Sequence, residues 1–261
     1  MQEDLSNENV IHVKKQNVQY IQFRKLLEYK DKINHCYTMR TFDNDYREDN
    51  GKNYKELCEC LNFDYKKIKR IDNQIHSNFV EKVDDINKVY TNIDGLISDK
   101  RGVSLWLRYA DCTPVYLYDT KKNIIGNIHS GWKGTVQKIA KVAVKKMIQE
   151  YGSNPEDIIC AFGPNIAKCH FKVDEDVKSI FEETFSYMNN KDIISIGEVE
   201  EGKQKYYIDT NLINRNLLKE VGVRDENIIE SKICTVCNHD KFYSYRKDKE
   251  ARRNAAVIGI M

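Results

Sequence analysis

Two histidines and one cysteine stand at points of the chain where zinc chemistry could be built. His129 ends an apolar run in the stretch NIHSGWKGT, Cys112 follows another in ADCTP, and His76 ends a polar segment, DNQIH. A thiolate and two imidazoles suit Zn²⁺, with Zn–S distances of about 2.3 Å and Zn–N distances of about 2.0 Å. Three protein ligands leave a fourth position open, which is the pattern of catalytic zinc sites.

Spacing alone does not establish this trio as a site. His76 and Cys112 are 36 residues apart and Cys112 and His129 are 17 apart, which matches no regular ligand motif. A histidine packed in the core or exposed at the surface is the alternative for each. The trio gains support if the flanking strands are neighbours in one sheet, because Cys112 would then begin a hairpin that His129 ends, and both would lie at its open end.

Other chemical motifs are absent from the sequence. It has no HExxH, no HxE, no phosphate-binding glycine loop and no GxSxG, which argues against zincins, zinc deaminases of that signature, P-loop enzymes and α/β-hydrolases. Cys234 and Cys237 form a CxxC pair, but no second pair matches it. We therefore expect these two cysteines to be packed free thiols, with zinc binding as the alternative.

The elements around these residues mix strands and helices. Alternating or apolar runs predict strands at residues 18–23, 103–109, 114–119, 123–128, 158–162 and 255–260. One helix is predicted at residues 53–61. Helical spacing predicts a helix capped by Thr135 and ended by Gly152, with Val136, Ile139, Ala140, Ala143 and Met147 on its buried face. Two more are predicted, one spanning residues 209–222 and one capped by Asp174 with Val177, Ile180, Phe181 and Phe185 inward. Without strict alternation, the fold class is α+β with mixed sheets layered with helices, in one domain spanning residues 1–261.

Composition limits the functional classes. Lys and Arg number 42 and Asp and Glu 40, so the formal net charge of +2 offers no electrostatic case for nucleic acid. No apolar run approaches the length of about 20 residues that spans a bilayer, and the polar N-terminus lacks a signal-peptide core. We expect a cytoplasmic protein that binds neither nucleic acid nor membrane, whose eight cysteines are thiols or ligands rather than disulfides.

Several blocks of the sequence are shared with one protein family. They are QIH (74–76), TNIDGLI (91–97), ADCTPV (110–115), IHSGWKG (128–134), GPNI (163–166), CT (234–235) and SYR (244–246). With these blocks the chain resembles the YfiH-like, or laccase-domain, family. The resemblance implies a fold of sheets layered with helices, and it implies that His76, Cys112 and His129 are the metal ligands and catalytic centre. The chain departs from the family's usual pattern at Ser77, Ser130, Lys133 and Arg252.

The resemblance further implies a reaction. Members are described as purine nucleoside phosphorylases acting on adenosine, inosine and methylthioadenosine, with adenosine deaminase activity, and an older label calls them multicopper polyphenol oxidases. We rank zinc-dependent nucleoside chemistry first, a copper-dependent oxidase second and a non-catalytic metal-binding module third. Zinc is therefore the expected cofactor, with copper as the alternative, and nucleoside and phosphate are the expected partners of a monomer or homodimer.

Cations are the expected substrate-binding groups. Arg40, Lys133 and Arg246 are the predicted residues, with Arg108 and Arg253 as further candidates, and a surface salt bridge is the alternative for each. The turn from Gly131 to Gly134 is expected to open a helix, whose N-terminus would suit an oxyanion. Its glycines would let the backbone pass close to a metal or substrate.

Overall fold

The strands and helices follow one another along most of the chain. The computed structural model describes residues 4–15, 17–40, 45–47, 51–249 and 252–261. The strands of this part are β1 (Val10–Lys15), β2 (Val18–Phe23), β3 (Ile33–Thr38), β4 (Ile68–Arg70), β5 (Val80–Lys82), β6 (Gly95–Ser98), β7 (Ser104–Tyr109), β8 (Thr113–Asp119), β9 (Ile124–Ser130), β10 (Ile158–Phe162), β11 (Lys172–Val173), β12 (Ile194–Glu200), β13 (Lys203–Ile208), β14 (Ile228–Glu230) and β15 (Asn254–Ile260). Its α-helices are α1 (Arg24–Leu27), α2 (Lys52–Leu61), α3 (Trp132–Val136), α4 (Ile139–Tyr151), α5 (Glu175–Thr184), α6 (Asn190–Ile193), α7 (Thr210–Glu220) and α8 (Tyr245–Asp248).

These strands form three sheets within the described residues. The first sheet has the order β1-β2-β3-β15-β7-β4, and the second has the order β14-β10-β8-β9-β6-β5. Both sheets combine antiparallel pairs with parallel pairs at their edges. The first sheet has one parallel pair, β4 with β7, and the second has two, β5 with β6 and β10 with β14. A small third sheet has the order β11-β13-β12. The architecture is α+β with mixed sheets in a single domain, as the sequence predicted.

The two large sheets pack face to face, with helices on both outer faces. Leu107 of β7 and Tyr118 of β8 belong to the core between the sheets. Their chain neighbours, Trp106 and Leu117, point the opposite way, because successive residues of a strand alternate faces. Trp106 packs with α2, and Leu117 packs with α4 and α7. A separate cluster joins the third sheet to α5, α6 and α7.

The hairpin of β8 and β9 places two of the candidate ligands at one end of the second sheet. Thr113 pairs with Ser130 and Pro114 pairs with His129. Cys112 directly precedes Thr113, so it lies at the same open end as His129, as predicted. Residues 103–109, which precede Cys112, do not share this sheet. They form β7 of the first sheet, and Cys112 lies where the chain crosses from one sheet to the other.

The predicted helix after His129 is two helices. Lys138 has a left-handed backbone, with φ 63°, and it separates α3 from α4. Thr135 therefore lies inside α3 and does not cap a helix; its hydroxyl donates to the carbonyl oxygen of Gly131 (3.1 Å). Gly152 ends α4 in the left-handed conformation, as predicted.

The helix after Asp174 also differs in part from the prediction. Asp174 occupies the N-cap position of α5, but its side chain makes no capping hydrogen bond and pairs with the Lys205 ammonium group instead. Phe181 and Phe185 are buried as expected, whereas Ile180 is 41% exposed. Asp209 caps α7 by accepting from the Leu212 N–H group (2.9 Å). Among the helices of the described residues, none has the length and apolar content needed to cross a bilayer.

Candidate metal centre and active site

His76, Cys112 and His129 converge although three separate segments supply them. Their candidate ligand atoms all lie within 4.8 Å of one another, and the Cys112 Sγ atom is 3.8 Å from the His76 Nε2 atom. A tetrahedral zinc ion with bonds of about 2.3 Å to sulfur and about 2.0 Å to nitrogen separates such atoms by about 3.5 Å. The donor set therefore fits one zinc ion, with a fourth coordination position left for another group.

The backbone at this point is unusually tight. His76 adopts a left-handed conformation with φ 60°, which non-glycine residues rarely adopt outside constrained sites. A Cβ atom on Gly131 would lie 2.6 Å from the His76 Cδ2 atom and 3.1 Å from the Cys112 Sγ atom. Glycine at position 131 thus leaves the space that His76 and Cys112 occupy, which agrees with the close approach expected from the sequence.

Asp94 holds both histidines in place from a fully buried position. Its Oδ1 atom accepts from the ring Nδ1–H group of His129 (2.8 Å) and from the backbone N–H group of His76 (3.0 Å). Its Oδ2 atom accepts from the N–H group (2.7 Å) and the hydroxyl (2.7 Å) of Ser77. A carboxylate on Nδ1 leaves Nε2 of His129 for the metal, an arrangement common around ligating histidines. Ser77, one of the departures from the family pattern, adds a donor to this carboxylate.

Cys112 and His129 stabilise each other's charged forms. Burial disfavours the Cys112 thiolate, but the attraction of His129 and hydrogen bonds from both imidazoles outweigh it and lower the pKa of Cys112 to about 6. Burial likewise disfavours the His129 cation, but the charges and hydrogen bonds of Cys112 and Asp94 raise its pKa to about 9. The site thus favours an ionised sulfur, which is the form that binds metal.

A cavity of about 800 Å³ opens over the trio. Its volume is within the range of small-molecule sites. All three ligands line it, together with the aromatic side chains of Trp132, Phe171 and Tyr245. Its cationic lining consists of Arg47, Arg108, Arg246, Lys249 and Arg253. Such a surface offers flat faces for a ring system and positive charge for an anion.

The structure places the predicted substrate-binding cations differently. Arg246 lines the cavity and donates from Nη1 to the carbonyl oxygen of His170 (2.8 Å). Arg40 lies outside the lining, where it pairs with Asp248 (3.3 Å). Lys133 also lies outside it, exposed, with its ammonium group 5.6 Å from the ring centre of Trp132. The helix after Gly131, α3, has only five residues, so it supplies little of the dipole that was expected to favour an oxyanion.

Two carboxylates that support the site were not assigned a role from the sequence. Besides Asp94, Asp111 is buried with φ 83°. Its carboxylate accepts from the Thr235 hydroxyl (2.6 Å) and from the backbone N–H group of Arg246 (2.6 Å). Their positions in the sequence could have indicated this role. Both stand in a shared sequence block, Asp94 directly before a strand and Asp111 directly before Cys112.

The family follows from comparison with known proteins. Residues 31–261 match the family model described as multi-copper polyphenol oxidoreductase laccase. The chain belongs to this family. It is the laccase-domain, or YfiH-like, family that the sequence blocks indicated.

Curated relatives in this family carry enzyme names. Purine nucleoside phosphorylase YlmD of Bacillus subtilis is 31% identical over 80% of this chain and 76% of its own length. A purine nucleoside phosphorylase of Borreliella burgdorferi is 34% identical over 88% of this chain and 93% of its own. Adenosine deaminase RL5, from an unknown prokaryotic organism, is 33% identical over 63% of this chain and 61% of its own.

Solved structures share the laccase-domain fold. YfiH of Bacillus licheniformis superposes with a TM-score of 0.82 at 24% identity, covering 96% of this chain and 99% of that one. YlmD of Geobacillus stearothermophilus superposes with a TM-score of 0.81 at 24% identity, covering 97% and 99%. These likenesses confirm the sheet-and-helix architecture.

Proposed function

We propose that this chain is a zinc-dependent purine nucleoside phosphorylase that acts on adenosine, inosine and methylthioadenosine and also deaminates adenosine. The observation that carries the proposal is the convergence of His76, Cys112 and His129 in the lining of the cavity. The names of relatives that align over most of the chain support the same reaction class. The preferred nucleoside, a cytoplasmic location and a monomeric or dimeric state stay predictions.

Zinc bound by the trio would supply a Lewis acid at neutral pH. The chain's own residues prepare the site for it. Asp94 keeps the proton of His129 on Nδ1 and directs Nε2 toward the metal. The lowered pKa of Cys112 keeps its sulfur ionised near neutral pH. With three protein ligands, a bound zinc ion would keep a fourth coordination position for a reacting group.

The cavity lining suits both parts of the proposed substrate pair. Trp132, Phe171 and Tyr245 offer aromatic faces for a purine, which has a π-face of its own. Arg246 presents a guanidinium group to the same space, and guanidinium groups bind phosphate with paired donors. Arg108 has a structural role in the cavity wall instead. Its Nη1 atom donates to the carbonyl oxygen of Arg47 (2.6 Å), and its Nη2 atom donates to those of Ile71 (2.9 Å) and Asp72 (2.6 Å).

The two proposed reactions differ in the attacking group. In phosphorolysis the bond between the ribose C1′ atom and the base nitrogen breaks, a phosphate oxygen bonds to C1′, and the base takes up one proton. Positive charge develops on the sugar in that step, which favours a nearby anion. In deamination a water oxygen bonds to the carbon that carries the amino group, and ammonia leaves. Both need a substrate held over the open face of the trio.

A copper-dependent polyphenol oxidase is the second candidate, because the family description names that activity. It requires several copper sites with mostly imidazole ligands. The sequence has six histidines, and only His76 and His129 meet in the trio. His12 hydrogen-bonds Gln19 (2.9 Å) and His35 accepts from the Phe23 N–H group (2.7 Å) in the first sheet. The described residues thus offer too few imidazoles at one place for a multicopper centre.

Product analysis tests the proposed activity. Adenosine with phosphate should yield adenine and ribose 1-phosphate, and adenosine without phosphate should yield some inosine, as separated by chromatography. His129→Ala should remove both activities together with one zinc equivalent. His12→Ala, on edge strand β1, should remove neither.

Oxidation of a phenol by copper-loaded protein, with no nucleoside turnover in the zinc form, would favour the oxidase. Absence of all turnover with zinc in place would favour a metal-binding module.

A further inference from the structure

A second group of metal-binding side chains lies outside the trio. Cys169 and His170 follow β10, and Cys234 and Cys237 form the CxxC pair after β14. Their four ligand atoms all lie within 4.8 Å of one another. The sequence expectation of packed thiols was wrong for Cys237, which is exposed, and it overlooked Cys169 and His170 because they are more than 60 residues away.

The distances within this group match a tetrahedron around a metal. The Cys169 and Cys237 sulfur atoms are 3.8 Å apart. The Nδ1 atom of His170 is 3.2 Å from the Cys169 sulfur, 3.7 Å from that of Cys234 and 3.5 Å from that of Cys237. A tetrahedral zinc ion with typical bond lengths separates two sulfurs by about 3.8 Å and a sulfur from a nitrogen by about 3.5 Å.

The chemistry of the donor set also fits zinc. Three cysteine thiolates with one histidine imidazole are one of the usual ligand combinations of structural zinc sites.

We propose that Cys169, His170, Cys234 and Cys237 bind a second zinc ion, with His170 coordinating through Nδ1. Four protein ligands close the coordination shell, so this ion is structural and does not bind substrate. The backbone N–H group of Ala167 already points at the Cys234 sulfur (3.5 Å), as amides do around metal-bound thiolates.

The ion would join two segments that contact residues around the cavity. Thr235, inside the CxxC pair, bonds Asp111 beside the ligand Cys112. The carbonyl oxygen of His170 accepts from Arg246, and Phe171 lines the cavity. The second zinc would therefore stabilise residues next to the trio without itself contacting the trio.

A disulfide between Cys169 and Cys237 is the competing arrangement. Their sulfurs are 3.8 Å apart, well beyond the S–S bond length of about 2.05 Å. A disulfide between these two cysteines would also not account for the closeness of the His170 and Cys234 ligand atoms to both sulfurs. The geometry favours the metal.

Metal counting on untagged protein purified with a reductant tests the proposal. Wild type should hold two zinc ions per chain, and His129→Ala should hold one. The double variant Cys169→Ser/Cys237→Ser should also hold one and should keep nucleoside turnover measurable. Both cysteines are exposed, so this variant should still fold. Cys60→Ser, which removes a thiol of α2 outside both groups, should hold two.

Cobalt substitution separates the two sites by their ligands. In His129→Ala the remaining cobalt ion has three thiolate ligands, whereas in the double variant the remaining ion has one, from Cys112. Sulfur-to-cobalt charge-transfer absorption per bound ion should therefore be about three times stronger in His129→Ala. Full loss of zinc in His129→Ala, or a Cys169–Cys237 disulfide in the reduced, purified protein, would overturn the second site. Neither result depends on turnover, so the proposed function can fail or hold separately.

Discussion

Each candidate ligand of the trio is constrained by a neighbouring carboxylate residue. Asp94 fixes the imidazole of His129 and the backbone of His76 through its Oδ1 atom. Asp111, in a left-handed conformation, positions the residue that follows it, Cys112. Orientation of this kind is what keeps three side chains from separate segments ready for a metal, because little side-chain freedom remains to be lost on binding.

Replacing Asp94 with asparagine should weaken zinc binding about 10–100-fold, the usual effect of losing a carboxylate behind a ligating histidine. The amide is neutral and can present an N–H group to His129 Nδ1, which disfavours the ligating tautomer. Competition with a chromophoric chelator measures the affinity.

The matched control is Asp119→Asn. Asp119 is also a buried carboxylate, but it lies at the opposite end of the β8–β9 hairpin and accepts from the N–H groups of Lys121 and Lys122 (both 2.9 Å). Equal loss of zinc affinity in both variants would contradict the role assigned to Asp94.

The reactivity of Cys112 should show its lowered pKa once metal is removed. Below pH 6 the sulfur carries its proton and above pH 6 it is the thiolate, so the alkylation rate should rise through pH 6 and level off above pH 7. The rate at Cys169, whose pKa is raised to about 12, should still be rising at pH 9. Peptide-resolved mass spectrometry reads both cysteines in one sample. A Cys112 rate that keeps climbing to pH 9 would contradict the assigned ionisation.

With zinc restored, both Cys112 and Cys169 should be protected from alkylation. The protection at Cys112 should vanish in His129→Ala, whereas the protection at Cys169 should remain there. This pattern assigns each cysteine to its own ion.

At the scale of elements, the site depends on where strands and helices end. The β8–β9 hairpin brings Cys112 and His129 to one edge, and the short helix α3 begins one residue after Gly131. The loop before β5 carries His76 to the same point. Close packing of three chain segments leaves no room for a side chain at Gly131.

Gly131→Ala should therefore reduce the zinc content of the trio, because the added methyl group would displace His76 and Cys112. Gly202→Ala is the control, since a Cβ there meets nothing within 4 Å although φ is +75°. That variant should lose about 1–2 kcal/mol of unfolding free energy from its left-handed conformation and keep its zinc. Metal analysis and chemical denaturation of both variants separate the two effects. Normal zinc at the trio in Gly131→Ala would show that the segments can move apart.

At the scale of the whole molecule, one buried histidine should set part of the acid sensitivity. His35 lies between the two large sheets, and burial lowers its pKa to about 3. An unfolded histidine has a pKa of about 6.5. Between these values the unfolded chain binds one more proton than the folded chain, so stability falls as the pH falls from 6.5 toward 3, by about 1.4 kcal/mol per pH unit.

His35→Gln should remove this slope while keeping an acceptor for the Phe23 N–H group. Denaturant unfolding at several pH values, with a chelator present, compares the variant with wild type. The two stability curves should run parallel above pH 7 and diverge below pH 6. Equal slopes between pH 4 and 6 would mean that His35 takes up its proton in the folded state.

Parts of both large sheets and of the helices that flank them were predictable because their signals are local. The alternation of residues 103–109, the apolar runs of the hairpin and the helical spacing before Gly152 each reflect which face of one element is buried. The break at Lys138 and the exposure of Ile180 were not predictable in this way. Each depends on how a helix packs against segments that are distant in sequence.

The sequence by itself determined the family and the fold class and predicted the trio of candidate ligands, since shared blocks and residue chemistry can be read from a linear chain. Only the tertiary structure decided which distant groups meet. It brought Asp94 and Asp111 behind the trio, placed Arg246 in the cavity and Arg40 and Lys133 outside it, and set Cys169 and His170 beside the CxxC pair. The physical reason is that sheet order and the crossings between sheets determine contacts over 60 or more residues, and no local pattern of apolar and polar residues records them.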